Sequence, residues 1–303
     1  MSNVGEIMEL MGGKPSKKEE TLLQKVYAFT ENAHKNQKRL SGEPYFIHAL
    51  ETAKTLAKLG MDTQTIVAGL LHDVLEDTKI TEAEILTEFG EDVLFLINGV
   101  TKLGTLKYRG YERHVESLRK FFIAMANDLR VVIIKFADRL HNLRTLQFVR
   151  EDKRVRIALE SIEVYAPLAN RLGMGKLKGE LEDAAFPYAY PKEYALVEEK
   201  IKNEKEKYEK YLTEVADRLK KELKKNKIEV NEVSYRMKHK YSLYKKLLKY
   251  DMDIEKIYDI VALRVVVNTV EECYRVLGLI HSIWNPLPGR IKDYIAVPKP
   301  NGY

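Results

Sequence analysis

Thr65-Ile66-Val67-Ala68-Gly69-Leu70-Leu71 is a continuous, mostly apolar approach to His72-Asp73-Val74-Leu75-Glu76-Asp77. A run of this kind belongs in a protein interior, and four titratable side chains in its continuation are costly to bury unless something binds them. Read as one helix, the spacing stacks His72 above Glu76 and Asp73 above Asp77, because residues four apart share a face. Two polar columns then leave a helix that is otherwise core. A bound metal ion is the reading that satisfies them.

At 303 residues the chain exceeds one core and predicts two domains. Its 45% apolar content supports a packed interior in both. The 51 basic and 45 acidic residues leave a charge of +6, which suits polyphosphate ligands and predicts no direct nucleic-acid partner. The single cysteine, Cys273, rules out a disulfide framework and a thiolate metal site, and fits a reducing compartment. The stretch after Met1 lacks the basic-then-apolar layout of a signal peptide, and no apolar run is long enough for a bilayer. The expectation is a cytoplasmic protein without membrane association.

Along the chain, residues 1–20 read as a leader, residues 21–176 as a first, helical domain, 177–196 as a connector and 197–303 as a second domain. His48 follows a turn-rich loop, Asn36 to Pro44, and opens a helical pattern that stops at Gly60. Residues 102–111 read as a loop or lid. A helix over 112–127 is expected to bury Val115, Leu118, Phe121, Phe122 and Met125. Val131 to Leu146 is apolar enough to be a buried helix, on which Asp138, Asn142 and Thr145 share one polar face. In the second domain Lys227 to Val233 alternates like a strand, Lys240 to Lys249 is a basic helix and Ile260 to Val267 a central strand.

His48, His72, Asp73 and Asp138 offer two imidazoles and two carboxylates, a mixed set that suits Mn²⁺ or Fe²⁺ better than zinc. Such a cation acidifies water near neutral pH. Glu76 and Asp77, one turn beyond, are placed to orient that water or move its protons. Gly173-Met174-Gly175-Lys176-Leu177 lacks the hydroxyl residue and preceding glycine of a P-loop.

Three phrases carry a resemblance: Arg39-Leu40-Ser41-Gly42-Glu43-Pro44-Tyr45-Phe46-Ile47-His48, His72 to Thr78, and Lys135-Phe136-Ala137-Asp138-Arg139-Leu140-His141-Asn142-Leu143-Arg144-Thr145-Leu146. The ordered His, His-Asp and Asp resemble HD-type metal-dependent phosphohydrolases, and the full phrases resemble the long RelA/SpoT homologues, bifunctional enzymes that make and destroy the alarmones ppGpp and pppGpp. The resemblance implies an all-α HD-type metallohydrolase domain followed by an α+β, nucleotidyltransferase-like synthetase domain. It implies Mn²⁺ held by His48, His72, Asp73 and Asp138, with Glu76 and Asp77 as the catalytic pair and Arg39, Ser41, Asn142 and Thr145 around the guanosine. Water then attacks the 3′-diphosphate and yields pyrophosphate and GDP or GTP. Where the family carries a second basic residue, this chain has Leu40.

For the synthetase the resemblance implies pyrophosphate transfer from ATP to GDP or GTP. Arg236, Lys238, Ser242 and Lys246 match its ATP-binding run, Asp259 its Mg²⁺ carboxylate, and Arg290-Ile291-Lys292-Asp293 the basic motif of bifunctional members. Lys299 belongs to the same nucleotide set, and Tyr303 matches the aromatic that stacks on the acceptor guanine. The family's second acidic residue lies further along than Tyr303, so the expectation is a synthetase truncated within its domain and a chain that hydrolyses without synthesising. Two other readings share these residues: a guanine-nucleotide sensor with an inactive hydrolase site, and an HD phosphohydrolase of another nucleotide.

Overall fold

The computed structural model describes residues 4–104 and 111–300, with the side chains at 104, 111–117, 203–207 and 209 left aside. It divides into two compact units, Met1–Pro191 and Lys192–Tyr303. Among the described residues no helix is long and apolar enough to cross a membrane.

Among the described residues the regular elements of the first unit are all helical. Its elements are α1 (Val4–Leu10), α2 (Lys17–Ala33), α3 (Phe46–Lys58), α4 (Thr63–Leu71), α5 (Val74–Asp77), α6 (Glu82–Phe89), α7 (Glu91–Gly104) and α8 (Tyr111–Asn127). They continue with α9 (Leu129–Arg144), a 3-10 turn (Leu146–Phe148), α10 (Glu151–Glu160), a π-helical turn (Ser161–Tyr165), α11 (Ala166–Arg171) and α12 (Gly175–Ala189). Helix α9 is its centre: Val132, Ile134, Phe136 and Ala137 are fully buried, and α3, α4, α7, α8 and α12 all pack against it. Asp128 starts it, its carboxylate accepting from the Arg130 amide at 2.8 Å in the usual manner of an N-cap.

Two glycines let these helices close up. A Cβ at Gly69 in α4 would lie 2.3 Å from Leu56 Cδ1 in α3, and one at Gly99 in α7 would lie 2.6 and 3.0 Å from the two methyl carbons of Val131 in α9. At both positions the absence of a Cβ makes room for a side chain of the neighbouring helix, Leu56 of α3 against α4 and Val131 of α9 against α7.

Several expectations are corrected here. Within the expected leader the described residues, from 4 onward, are ordered: α1 buries Val4 and Ile7, and Ser16 and Glu19 form a capping box on α2. The stretch 177–196 is not a connector but most of α12 and the first turn of α13, with Leu177, Leu181, Ala185 and Phe186 buried. The division falls after Pro191, inside that stretch, where Tyr190 leaves helical geometry. Phe122 is 50% exposed, so Phe121 alone of that aromatic pair faces the core. The expected loop at 102–111 falls largely outside the described residues, as does the side chain of Val115.

The second unit contains α13 from Lys192 onward (Pro191–Lys225), β1 (Glu232–Met237), α14 (Lys240–Lys249), β2 (Val261–Val266) and α15 (Val270–Ile283). Its strands are antiparallel, with Glu232 opposite Val266 and Met237 opposite Val261. The alternation at Lys227 to Val233 marks the strand too early. Helix α13 runs to Lys225, Lys227 turns with φ +54°, and Ile228 packs with Leu219, Leu223 and Val276 before pairing starts.

Candidate metal centre and nucleotide-binding sites

The single helix inferred over Thr65 to Asp77 is interrupted: α4 stops at Leu71, and His72 and Asp73 form the joint to the short α5. The step from Asp73 to Asp77 is still helical, the Asp77 amide donating to the Asp73 carbonyl at 2.9 Å, and from the joint His72 and Asp73 face α3 and α9.

His48 in the first turn of α3, His72 and Asp138 place one ligand atom each within 4.8 Å of the others. His48 Nε2 lies 3.2 Å from His72 Nε2, 3.4 Å from Asp73 Oδ2 and 3.3 Å from Asp138 Oδ1. Asp73 Oδ2 is also 3.2 Å from His72 Nε2. Four groups thus converge on one buried point, and they are the four the sequence put forward. The donor set, two imidazole nitrogens and two carboxylates, fits a divalent cation. The remaining atoms of the set are tied outward: His72 Nδ1 meets the Gly69 carbonyl at 2.8 Å, so it carries the hydrogen and leaves Nε2 to the centre.

Opposite charges are held close together here. Burial alone would lower the His72 pKa, but the Asp73 and Asp138 carboxylates raise it to about 9. Asp138 is held well below the usual carboxylate range: burial works against this and is outweighed by Lys135, His48 and His72. Asp73 is depressed likewise, burial again being overcome by His72 and His48. A pocket that draws a proton onto an imidazole this firmly offers the same attraction to a metal ion, which would replace that proton.

Around this centre the structure adds residues that the sequence reading passed over. Lys135 Nζ sits 2.7 Å from Asp138 Oδ2, one turn back on α9. The Tyr45 hydroxyl donates to Asp73 Oδ2 at 2.8 Å, and its pKa is raised by burial and by the Asp73 and Asp77 carboxylates. His141 meets both His48 and Arg39; burial, then the charge of those neighbours, lowers its pKa to about 3. Lys135 and His141 stand three residues before and after Asp138, a helical signal that was present in the sequence. A cavity of about 260 Å³ beside Asp138 is lined by Arg39, Lys135, Arg139, Asn142 and Arg156 together with Glu160.

Of the other expected residues, Arg39 and Asn142 join directly, Nη2 donating to Oδ1 at 2.7 Å. Asn142 in turn donates to Asp138 Oδ1 at 2.5 Å. Glu76 and Asp77 are exposed on α5, one turn past the joint. The Ser41 hydroxyl is used inside the loop, on Glu43 at 3.1 Å, and the Thr145 hydroxyl on backbone carbonyls of α9, so neither lines the cavity. Leu40 is 78% exposed at the turn.

In the second unit, Asp259 precedes β2 and receives Lys238 Nζ at 2.8 Å and Lys246 Nζ at short range. Burial pushes its pKa up, and the two ammonium groups together outweigh this and bring it down to about 2. Arg236 projects from β1 and is exposed, and Ser242 lies in the first turn of α14. Lys292 and Lys299 follow α15, with Lys299 Nζ 4.4 Å from the Tyr294 ring centre. Tyr303 lies outside the described residues.

An all-helical unit with this His, His-Asp, Asp centre defines the class of HD domains, and the family model described as "HD domain" matches residues 27–175. A second model, "Region found in RelA / SpoT proteins", matches residues 235–303. The chain belongs to the RelA/SpoT family. It is 47% identical over 309 residues to an Aquifex aeolicus protein named guanosine-3′,5′-bis(diphosphate) 3′-pyrophosphohydrolase, across 100% of this chain and 44% of that one. It is 45% identical over 286 residues to a Myxococcus xanthus GTP pyrophosphokinase, covering 93% and 38%. The Escherichia coli bifunctional (p)ppGpp synthase/hydrolase SpoT is 46% identical over 286 residues, covering 93% and 40%. The chain thus spans less than half the length of these relatives.

Proposed function

We propose that the first unit is a Mn²⁺-dependent 3′-pyrophosphohydrolase of ppGpp and pppGpp, releasing pyrophosphate and leaving GDP or GTP. The observation that carries this reading is the convergence of His48, His72, Asp73 and Asp138 on one buried point beside a cation-lined cavity. The names of the relatives supply the substrate class. A divalent cation held by these four residues supplies Lewis acidity toward water and diphosphate oxygen.

The chain's own groups do the rest. Arg39, Lys135, Arg139 and Arg156 line the cavity and offer positive charge to phosphate oxygens. Asn142 and Arg39 form the rim on which the guanosine part is read, with Ser41 and Thr145 at its margin. Glu76 and Asp77, exposed where bulk water reaches them, orient the attacking water and accept its proton. Their carboxylates stand one turn beyond His72 and Asp73, so proton transfer and ion holding are assigned to different side chains. A nucleotide substrate and a lone, exposed Cys273 support a cytoplasmic setting.

For the second unit the proposal is ATP and Mg²⁺ chemistry in the parent protein, ATP phosphates meeting Arg236, Lys238, Ser242 and Lys246 and the ion meeting Asp259. The Lys238–Asp259–Lys246 cluster supports it, since a bound triphosphate and its cation would exchange partners with those charges. Lys292, Lys299 and Tyr303 complete the proposed nucleotide set.

The test is incubation of the purified chain with ppGpp under Mn²⁺, Mg²⁺ or Zn²⁺, with and without chelator, following GDP and pyrophosphate. The expected result is release of both products, abolished by chelation and largest with Mn²⁺. A protein that holds Mn²⁺ and leaves ppGpp intact would overturn the hydrolase reading and favour a nucleotide sensor.

A further inference from the structure

Three imidazoles meet at this centre, and only His48 and His72 are proposed to hold the ion. The third, His141, is buried on α9 at 6% exposure. Its Nδ1 lies 2.7 Å from Nδ1 of His48 and 2.9 Å from Nη1 of Arg39. These two contacts together determine where the hydrogens are.

A guanidinium carries five N–H donors and no acceptor. The Arg39 contact is therefore a hydrogen bond only if Nδ1 of His141 presents its lone pair. His141 is then the tautomer with hydrogen on Nε2. The nitrogen of His48 that faces the same lone pair at 2.7 Å must in turn be a donor, since two lone pairs at that distance repel. With its hydrogen on Nδ1, His48 directs Nε2 at His72, Asp73 and Asp138.

We infer that His141 is a positioning residue: held as an acceptor by Arg39, it fixes the tautomer and ring orientation of His48 and so keeps His48 Nε2 available to the divalent cation. The inference rests on the proposed cation site. It deepens that reading by giving His48 the outer partner that Gly69 gives His72. The two partners differ in kind. A carbonyl can only accept, whereas an imidazole can donate or accept and needs a third group to decide, and Arg39 is that group. The loop residue Arg39 thereby sets a hydrogen on a buried ligand two links away.

Two substitutions separate this role from packing. Asn at position 141 keeps a side-chain oxygen that can accept from His48 and Arg39, whereas Leu keeps bulk and removes the acceptor. Mn²⁺ affinity of the substrate-free protein is measured by calorimetric titration, with thermal unfolding as the folding control. The tautomer of His48 is read in the metal-free wild type by nitrogen-15 NMR of the imidazole. His141→Leu is expected to weaken Mn²⁺ binding by about 10–100-fold, the usual cost of losing an outer hydrogen-bond partner. His141→Asn should remain near the wild-type affinity, and His48 should show its hydrogen on Nδ1.

Wild-type Mn²⁺ affinity in a folded His141→Leu protein overturns the inference, and so does a His48 whose Nδ1 is bare. If the Leu variant does not fold, the NMR result and the Asn variant decide. A wild type that binds no Mn²⁺ removes the cation site itself and with it this role for His141, while a His48 hydrogen on Nδ1 would still distinguish that failure from an error in the tautomer assignment.

Discussion

Replacing Lys135 with Met tests how the centre balances charge before an ion is present. The side chains are similar in length and the substitution removes one ammonium 2.7 Å from Asp138 Oδ2. Burial lowers the Lys135 pKa, but Asp138 outweighs it and keeps the group charged. At that distance and an effective dielectric constant of about 20, the gross attraction is about 6 kcal/mol. Desolvation cancels much of it, yet leaving a buried carboxylate without its partner typically costs about 3–5 kcal/mol. The low end applies, because Asn142 and the imidazoles still face Asp138. About 3 kcal/mol corresponds to a fall of roughly 6–12 °C in the unfolding midpoint of a domain this size. Calorimetry with chelator should show that fall. With saturating Mn²⁺ the gap should narrow by half or more, since the ion takes over the charge beside Asp138 and no longer faces a neighbouring ammonium. An equal gap with and without Mn²⁺ would refute the reasoning, because Lys135 would then be indifferent to what the four ligands hold.

Replacing Glu76 with Gln should leave Mn²⁺ binding intact and slow ppGpp hydrolysis by about 10²–10⁴-fold, as expected for a lost proton-transfer group; an unchanged kcat removes Glu76 from the mechanism. Asp128→Ala should cost about 1–2 kcal/mol in urea unfolding, from the cap of α9. The Arg130 side chain holds Asp128 below its ordinary pKa against a smaller opposing effect of burial, so this contribution is complete above about pH 4 and disappears as pH falls through the lowered value. A gap between wild type and variant that persists in strong acid would contradict that assignment. Gly99→Ala should destabilise by about 1–3 kcal/mol and more than Gly69→Ala. The new methyl meets both branches of Val131 at the first site and only the tip of Leu56 at the second, and reversed thermal shifts would count against this packing.

The parts of the site that were legible in the sequence are those where polarity contradicts a local apolar pattern. His72 and Asp73 end the run from Ile66 to Leu71, and Asp138 and Asn142 interrupt a helix whose neighbours are Val, Ile, Leu and Phe, so helical spacing sufficed to group them. What local pattern could not supply was the break at His72. No Gly or Pro stands at 72 or 73, and both residues keep helical torsion angles. The interruption is slight, since the Asp77 amide still donates to the Asp73 carbonyl at 2.9 Å. The same limit explains the start of β1: Ile228 and Val230 alternate as a strand would, but both are spent on the core against α13 and α15, and the ladder begins at Glu232.

His141 shows the limit most clearly. On α9 it is one more polar residue of the Asp138 face, and in isolation a histidine there is equally well a packed core group. Its meaning comes from two crossings that sequence spacing does not encode: α3 brings His48 Nδ1 to it, and the Lys38 to Pro44 turn brings Arg39. The resemblance implies that Arg39 of this turn meets the guanosine, and the structure uses Arg39 internally, on His141 and Asn142. An arginine committed in this way cannot be drawn fully to a substrate without releasing the lone pair of His141. Guanosine recognition and the orientation of His48 are therefore linked through one side chain. A substrate that engages Arg39 while leaving its Nη1 in place keeps both, which is a geometric condition on the nucleotide that charge attraction alone would not impose.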